Sequence, residues 1–312
     1  MPRMTTALGA ESRPMPLQIQ LSARPSVLPL YFRALTARKP GQLTGGSEAV
    51  LATVSLQKQR LDTGHLRDYR AVCGFESGAS VPATYPFVLA MPLQLNLLVS
   101  EAFPFPVLGV VHVRNRIRQF RRLAEHELLD IQCELMAPVA VKRGYEFDLV
   151  TRVHVAGELV WECMSTLLSR SKQQRKPDEV ANRRRRNLEA VEVAEGHSLK
   201  WHLPADTGRR YARVSGDRNP IHLFASTAKL FGFPRAIAHG MWLKAHCLAS
   251  LEAAVADTSL WDSVDFSVEF KKPVLLPSSV TLQYMRVESG LRFSLVDAHG
   301  KRAHLCGRIE QI

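Results

Sequence analysis

The sequence predicts an α+β protein built from two related units in tandem, and three observations carry that reading. First, the chain repeats itself. DTGHLRDYRAVCG at 62–74 and DTGRRYARVSG at 206–216 both open on Asp-Thr-Gly, carry a tyrosine among arginines, and close on Val-Cys-Gly or Val-Ser-Gly. PFVLAMPL at 86–93 then lies over PRAIAHGM at 234–241 without a gap. Second, an apolar segment of helical length follows each copy, QLNLLVS (94–100) and WLKAHCLASLEAAVA (242–256). Third, alternating apolar and polar stretches come next in both halves, the period of half-buried strands. One buried helix plus a run of antiparallel strands, present twice, reads as a duplicated unit.

The elements follow in chain order. VPATYPFVLAMPLQLNLLVS (81–100) carries no charge, but Pro82, Pro86 and Pro92 interrupt it. An unbroken helix is expected only after Pro92, too short to span a bilayer and suited to a buried position. Strands are expected at 110–120, 126–137, 145–157 and 158–170. SKQQRKPDEVANRRRRN (171–187) is polar and poor in apolar residues, as a linker is. Strands resume at 264–270, 279–289, 292–300 and 301–312. The expected partition is an N-terminal unit at 1–170, a charged linker at 171–190 and a C-terminal unit at 191–312.

Composition agrees. The chain has 312 residues, of which 46% are hydrophobic and 22% charged, enough for two cores and too little charge for global disorder. Its formal net charge is +12, which favours acidic partners. Part of that excess lies in Arg183, Arg184, Arg185 and Arg186, which read as solvated linker. No aromatic platform accompanies them, so nucleic-acid binding is not expected. Cys73, Cys133, Cys163, Cys247 and Cys306 show no CxxC spacing, which speaks against a zinc site and for a reducing compartment. The first thirty residues lack a continuous apolar core, so no signal peptide is read and a cytoplasmic location is expected.

The chemistry-bearing stretch is YARVSGDRNPIHLFASTAKLFGFPRAIAHGMW (211–242). Its Tyr211, Ser215-Gly216-Asp217, Asn219-Pro220-Ile221-His222 and Ala238-His239-Gly240-Met241 resemble the signature of the MaoC-like (R)-specific enoyl-thioester hydratases and dehydratases. The resemblance covers about 100 residues of the C-terminal half and reaches the N-terminal half only through the repeat. It implies a hotdog fold, a long helix wrapped by an antiparallel sheet, and hence a double hotdog here. It also implies a hydro-lyase acting on an acyl thioester of CoA or acyl carrier protein, with no cofactor or metal, compatible with a homodimer.

Adding water to a 2-enoyl thioester needs a base for the water, a proton for Cα and a donor for the thioester oxygen. An Asp217–His222 pair suits the first two tasks, because a histidine exchanges protons near neutral pH and a carboxylate holds it and the water. Asn219 and Pro220 favour a tight turn that turns both side chains to one spot. By resemblance, the Gly240 N–H is the oxyanion donor and His239 shapes the turn. Ser215 reads either as a hydrogen-bond partner or as a strand-end residue, and Tyr211 as packing. His202, His246, His299 and His304 read as structural or solvated. The gapless overlay puts Met91-Pro92 opposite His239-Gly240, and no Asp–His pair follows Gly74. The first half is therefore expected to lack a site and to wall the acyl or pantetheine tunnel of the second. Two rivals remain, a hotdog thioesterase and a non-catalytic acyl-binding subunit.

Overall fold

A computed structural model describes residues 15–40, 49–78, 80–171, 196–255 and 258–312. Arg183–Arg186 and most of the expected linker lie outside these residues. The described strands form one 12-stranded sheet. The first half supplies β1 (Leu17–Leu21), β2 (Val50–Gln59), β3 (Val111–Gln119), β4 (Leu129–Met136), the short β5 (Val139–Val141), β6 (Gly144–Val155) and β7 (Glu158–Arg170). The second supplies β8 (His197–Leu203), β9 (Val264–Phe270), β10 (Ser278–Val287), β11 (Gly290–Asp297) and β12 (Ala303–Gln311). The order is β1-β2-β4-β6-β7-β3-β9-β12-β11-β10-β8, with β5 on β6. Apart from the outer β1, the two halves of that order mirror each other.

The halves join edge to edge. β3 pairs antiparallel with β9, from Arg114 opposite Glu269 to Gln119 opposite Val264. Joining removes two exposed edges, a pairing hazard in free sheets. The guanidinium of Arg116 clamps the Asp265 carboxylate across the seam. Lys244, fully buried, reaches the same seam and donates to Asn115 Oδ1 at 2.6 Å and to the Phe266 carbonyl at 2.8 Å. Each expected strand appears within a few residues of its predicted span. The sequence does not anticipate β1, β2, β5 or β8.

Two long helices, α3 (Tyr85–Val99) and α6 (Gly240–Ala254), supply much of the core. Both are largely buried, as their lack of a polar face requires. Before them lie the repeat helices, α2 (Thr63–Cys73) and α4 (Thr207–Ser215), which pack on one another. α1 (Val27–Thr36) precedes β2, and a short α5 (Ala225–Lys229) follows the signature loop. α2 and α4 both end on a left-handed glycine, Gly74 at φ 84° and Gly216 at φ 74°, a conformation that favours glycine. The duplicated Val-Cys/Ser-Gly is thus a duplicated helix stop.

Two expectations need correction. The helix does not wait for Pro92: α3 begins at Tyr85 and carries Pro92 inside. A proline there has no N–H for the carbonyl four residues back, which is Val88. The Arg24 guanidinium donates to that carbonyl at 3.2 Å, so the freed acceptor is satisfied from outside the helix. The gapless overlay is also out of register. α3 and α6 each span 15 residues, and their starts place Thr84-Tyr85, not Met91-Pro92, opposite His239-Gly240. On that register Met91 matches His246. The packing agrees, because Met91 approaches Gly216 while His246 approaches Gly74. The first half still lacks an Asp–His pair after Gly74.

Candidate active site

The left-handed turn at Gly216 releases the chain from α4 into a loop that ends in one turn of 3-10 helix, Pro220–His222. Ser215, buried at the end of α4, accepts a hydrogen bond from the Asp217 N–H at 3.1 Å. That decides its open reading in favour of a hydrogen-bond partner. The Asn219 side chain accepts from the Ile221 N–H and caps the turn. The Asn219 N–H donates to Asp217 Oδ1 at 3.1 Å. The loop is therefore held by its own polar groups, as Asx-type turns are.

Asp217, His222 and His239 converge, with one ligand-type atom of each lying within 4.8 Å of the others. His222 is buried, and its Nδ1 lies 2.8 Å from the Ile237 carbonyl. A carbonyl only accepts, so Nδ1 carries the proton and Nε2 presents its lone pair. His239 does more than shape a turn. Its ring stacks on His222 with centroids 3.7 Å apart and planes 26° apart. Its Nε2 donates to the Asp217 carbonyl at 3.1 Å and lies 3.9 Å from Oδ2. Tyr211 packs on the His239 ring at 5.0 Å. Lone pairs of imidazole lie in the ring plane, so two nearly parallel stacked rings direct them side by side rather than onto one ion. The trio fits proton transfer better than metal ligation.

Burial sets the charge states. It pushes His239 down to about 3, with His222 acting in the same direction. It also lowers His222, against the opposing pull of Asp217 and the Ile237 carbonyl. Burial acts to raise Asp217, but His239, His222, the Asn219 N–H and the Tyr31 hydroxyl outweigh it, and the carboxyl sits below its ordinary value. At neutral pH the site holds a carboxylate beside two neutral imidazoles.

Ser215, Asp217, Asn219, His222, His239 and Gly240 all line one cavity of about 350 Å³. Gly240 is the first residue of α6, where backbone N–H groups have no helical partner and carry partial positive charge. A Cβ there would sit 2.9 Å from the Phe270 ring, so a side chain at this position would drive Phe270 from its place in the cavity wall. The opposite wall comes from the first half, with Phe87, Met91, Gln94, Leu95 and Leu98 of α3 all contributing. Sequence reasoning missed three wall residues. Tyr31 bonds to Asp217, His112 stands between Phe87 and Phe270, and His304, which the sequence reads as structural or solvated, lines the cavity. No local motif surrounds any of them; only the folded topology brings them to the cavity.

A half-buried Asp217 and a buried His222 thus line one cavity with the start of α6, inside a double-hotdog frame. The chain belongs to the MaoC-like dehydratase family. Residues 173–303 match the MaoC like domain. The chain is 33% identical to 3-hydroxyacyl-thioester dehydratase X of Mycobacterium tuberculosis over 82% of its own length and 88% of that protein. The crystal structure of HtdX from the same organism superposes with a TM-score of 0.71 at 32% identity, covering 83% of this chain and all of that one. A second M. tuberculosis protein, described as having a double hotdog fold, aligns at 14% identity with a TM-score of 0.53, over 89% of this chain and 99% of that one. At that identity it speaks to the fold alone. No helix among the described residues is long and apolar enough to cross a membrane.

Proposed function

We propose that the chain interconverts 2-enoyl and (R)-3-hydroxyacyl thioesters, with one site per chain carried by Asp217, His222 and the Gly240 N–H. The observation that carries this reading is the convergence of an ionised Asp217 and a tautomer-fixed His222 on the cavity where α6 begins. In the hydration direction the Asp217 carboxylate orients a water beside His222 Nε2. As the water oxygen bonds Cβ, Nε2 takes its proton, and the electron pair moves through Cα onto the thioester oxygen. The Gly240 N–H meets that developing charge. The imidazolium then returns the proton to Cα, so the sum is one water added and no charge gained. Dehydration runs the same steps backwards.

On this reading residues 191–312 are the catalytic unit, residues 1–170 the supporting unit, and the segment between them the linker. The α3 wall receives the acyl or pantetheine chain. Arg143, Arg170, Lys271 and Lys272 line the same cavity and give the phosphates of CoA or a carrier-protein prosthetic group a cationic counterpart. The test is a panel of 2-enoyl-CoA substrates of increasing chain length, followed by loss of the conjugated-enoyl absorbance, with chiral analysis of the product. (R)-3-Hydroxyacyl-CoA is expected. Thiol release from saturated acyl-CoA without hydration would point to a thioesterase instead.

A further inference from the structure

We propose that Tyr31, delivered by the N-terminal helix α1, is a positioning residue that fixes which oxygen of Asp217 serves the reaction. The inference rests on the proposed function and concerns the same site. The Tyr31 hydroxyl donates to Asp217 Oδ1 at 2.9 Å. It accepts from the Arg218 N–H at 2.9 Å. The Asn219 N–H also donates to Oδ1. Oδ1 is thus held by two donors. Oδ2 takes neither of these bonds and lies on the His239 side, 3.9 Å from Nε2. A carboxylate on a single χ2 torsion otherwise flips its oxygens freely, so two donors on one oxygen keep the other presented for water.

Tyr31 reaches this place through α1, which packs on α3. Val27, one turn earlier on α1, has its Cγ1 3.2 Å from where a Cβ on Gly216 would lie. The helix is therefore seated against the stop of α4, at the root of the catalytic loop. The Tyr31 hydroxyl has both its donor and its acceptor capacity filled by Asp217 and Arg218. Burial and the neighbouring Asp217 raise its pKa well above the usual phenol value, so it stays a donor throughout the cycle. It acts through Asp217 and exchanges no proton with substrate. The first half, which lacks a site of its own, thereby supplies a polar contact to the site of the second.

The experiment compares Tyr31→Phe, Asp217→Asn and Leu28→Ala in the full chain, using a 2-enoyl-CoA substrate and a pH series. Tyr31→Phe removes one oxygen atom. It is expected to lower kcat by roughly tenfold or more, because a hydrogen bond to a charged group is lost, while KM stays within about twofold. The acid limb of kcat/KM should move to higher pH, since a carboxylate that loses a donor binds its proton more readily. The other titratable groups facing Asp217, namely His222, His239, Tyr211 and His112, are the same in this variant, so a shift of the limb between the two proteins reports on Asp217. Leu28, exposed on the outer face of α1, should change nothing when truncated to alanine. A Tyr31→Phe protein with unchanged kcat overturns the proposal. So does a loss of kcat with an unmoved acid limb, which is what a merely structural role would give. In both cases an inactive Asp217→Asn leaves the proposed function standing. An active Asp217→Asn overturns that reading, and the role of Tyr31 with it.

Discussion

The two halves share a frame and differ in what fills it. After Gly216 the chain runs Asp217 to His222, and the space above opens into a cavity of about 350 Å³. After Gly74 it runs Phe75-Glu76-Ser77, and the hollow beside Phe75 and Glu76 holds about 140 Å³. The helix registers show why. The third and seventh residues of α3 are Phe87 and Met91, which line the cavity of the second half. The third and seventh residues of α6 are Trp242 and His246. Trp242 stacks on His246 at 4.9 Å and donates to the Val72 carbonyl at 2.9 Å. His246 Nδ1 donates to the Cys73 carbonyl at 2.8 Å, and Trp201 closes on its other side at 4.4 Å. The first half carries no Asp–His pair after Gly74, and aromatic rings tied to the end of α2 pack beside that turn. On the proposed function, duplication has separated two tasks: one copy keeps the chemistry, and the other supplies wall and anchorage.

The strongest way to break this comparison is to remove the chemistry from the second half. Asp217→Asn or His222→Ala should each lower hydratase turnover by a factor on the order of 100 or more, with circular dichroism unchanged. If either chain keeps near-normal turnover, the division between the halves fails. Next in size is Gly240→Pro. Proline is tolerated at the first position of a helix, and His239 already has the extended backbone, φ −65° and ψ 135°, that a residue before proline adopts. The helix should start as before without its first N–H, while the proline Cβ also crowds the Phe270 ring. Losing one oxyanion donor typically costs roughly 10²–10³ in kcat. A folded Gly240→Pro chain at full rate would remove the donor from the account.

The aromatic plug can be tested by stability. Trp242→Ala should cost about 3–5 kcal/mol in denaturant unfolding, as large-to-small changes in a packed core do, and should create no second activity. The smallest effect expected concerns α3. Arg24→Ala leaves the Val88 carbonyl without its donor and should lower stability by about 1–3 kcal/mol. In a Pro92→Ala background the helix supplies its own N–H to that carbonyl, so Arg24→Ala should then cost clearly less. Equal costs in both backgrounds would show that Arg24 stabilises by some other contact.

How far this architecture could be read from the sequence varies by element. The late strands of each half were legible because alternation survives wherever one sheet face is buried. The meeting of Asp217, His222 and Gly240 at one cavity was legible because one short loop and one helix start carry them. The helix over Pro92 was not, since the donor that permits it lies on Arg24, far off in sequence. The register of the repeat misled because chance matches at Pro86 and Ala90 outscored the true helix starts, where Thr84-Tyr85 share nothing with His239-Gly240. Tyr31 was invisible, a lone tyrosine in SVLPLYFRALTARK whose partner lies in the other half of the chain. Local patterns reveal periodicity and loop chemistry, and tertiary hydrogen bonds leave no such trace.

The central claim is that one working site per chain, in the second half, is walled by the first. Calorimetric titration with a saturated acyl-CoA, which has no double bond to hydrate, counts such sites directly. The account predicts one equivalent bound per chain, with affinity weakened when Leu95 in the α3 wall is changed to arginine and unchanged when Glu76 beside the smaller hollow is changed to glutamine. Two equivalents per chain, or binding that responds to Glu76 and not to Leu95, would contradict it.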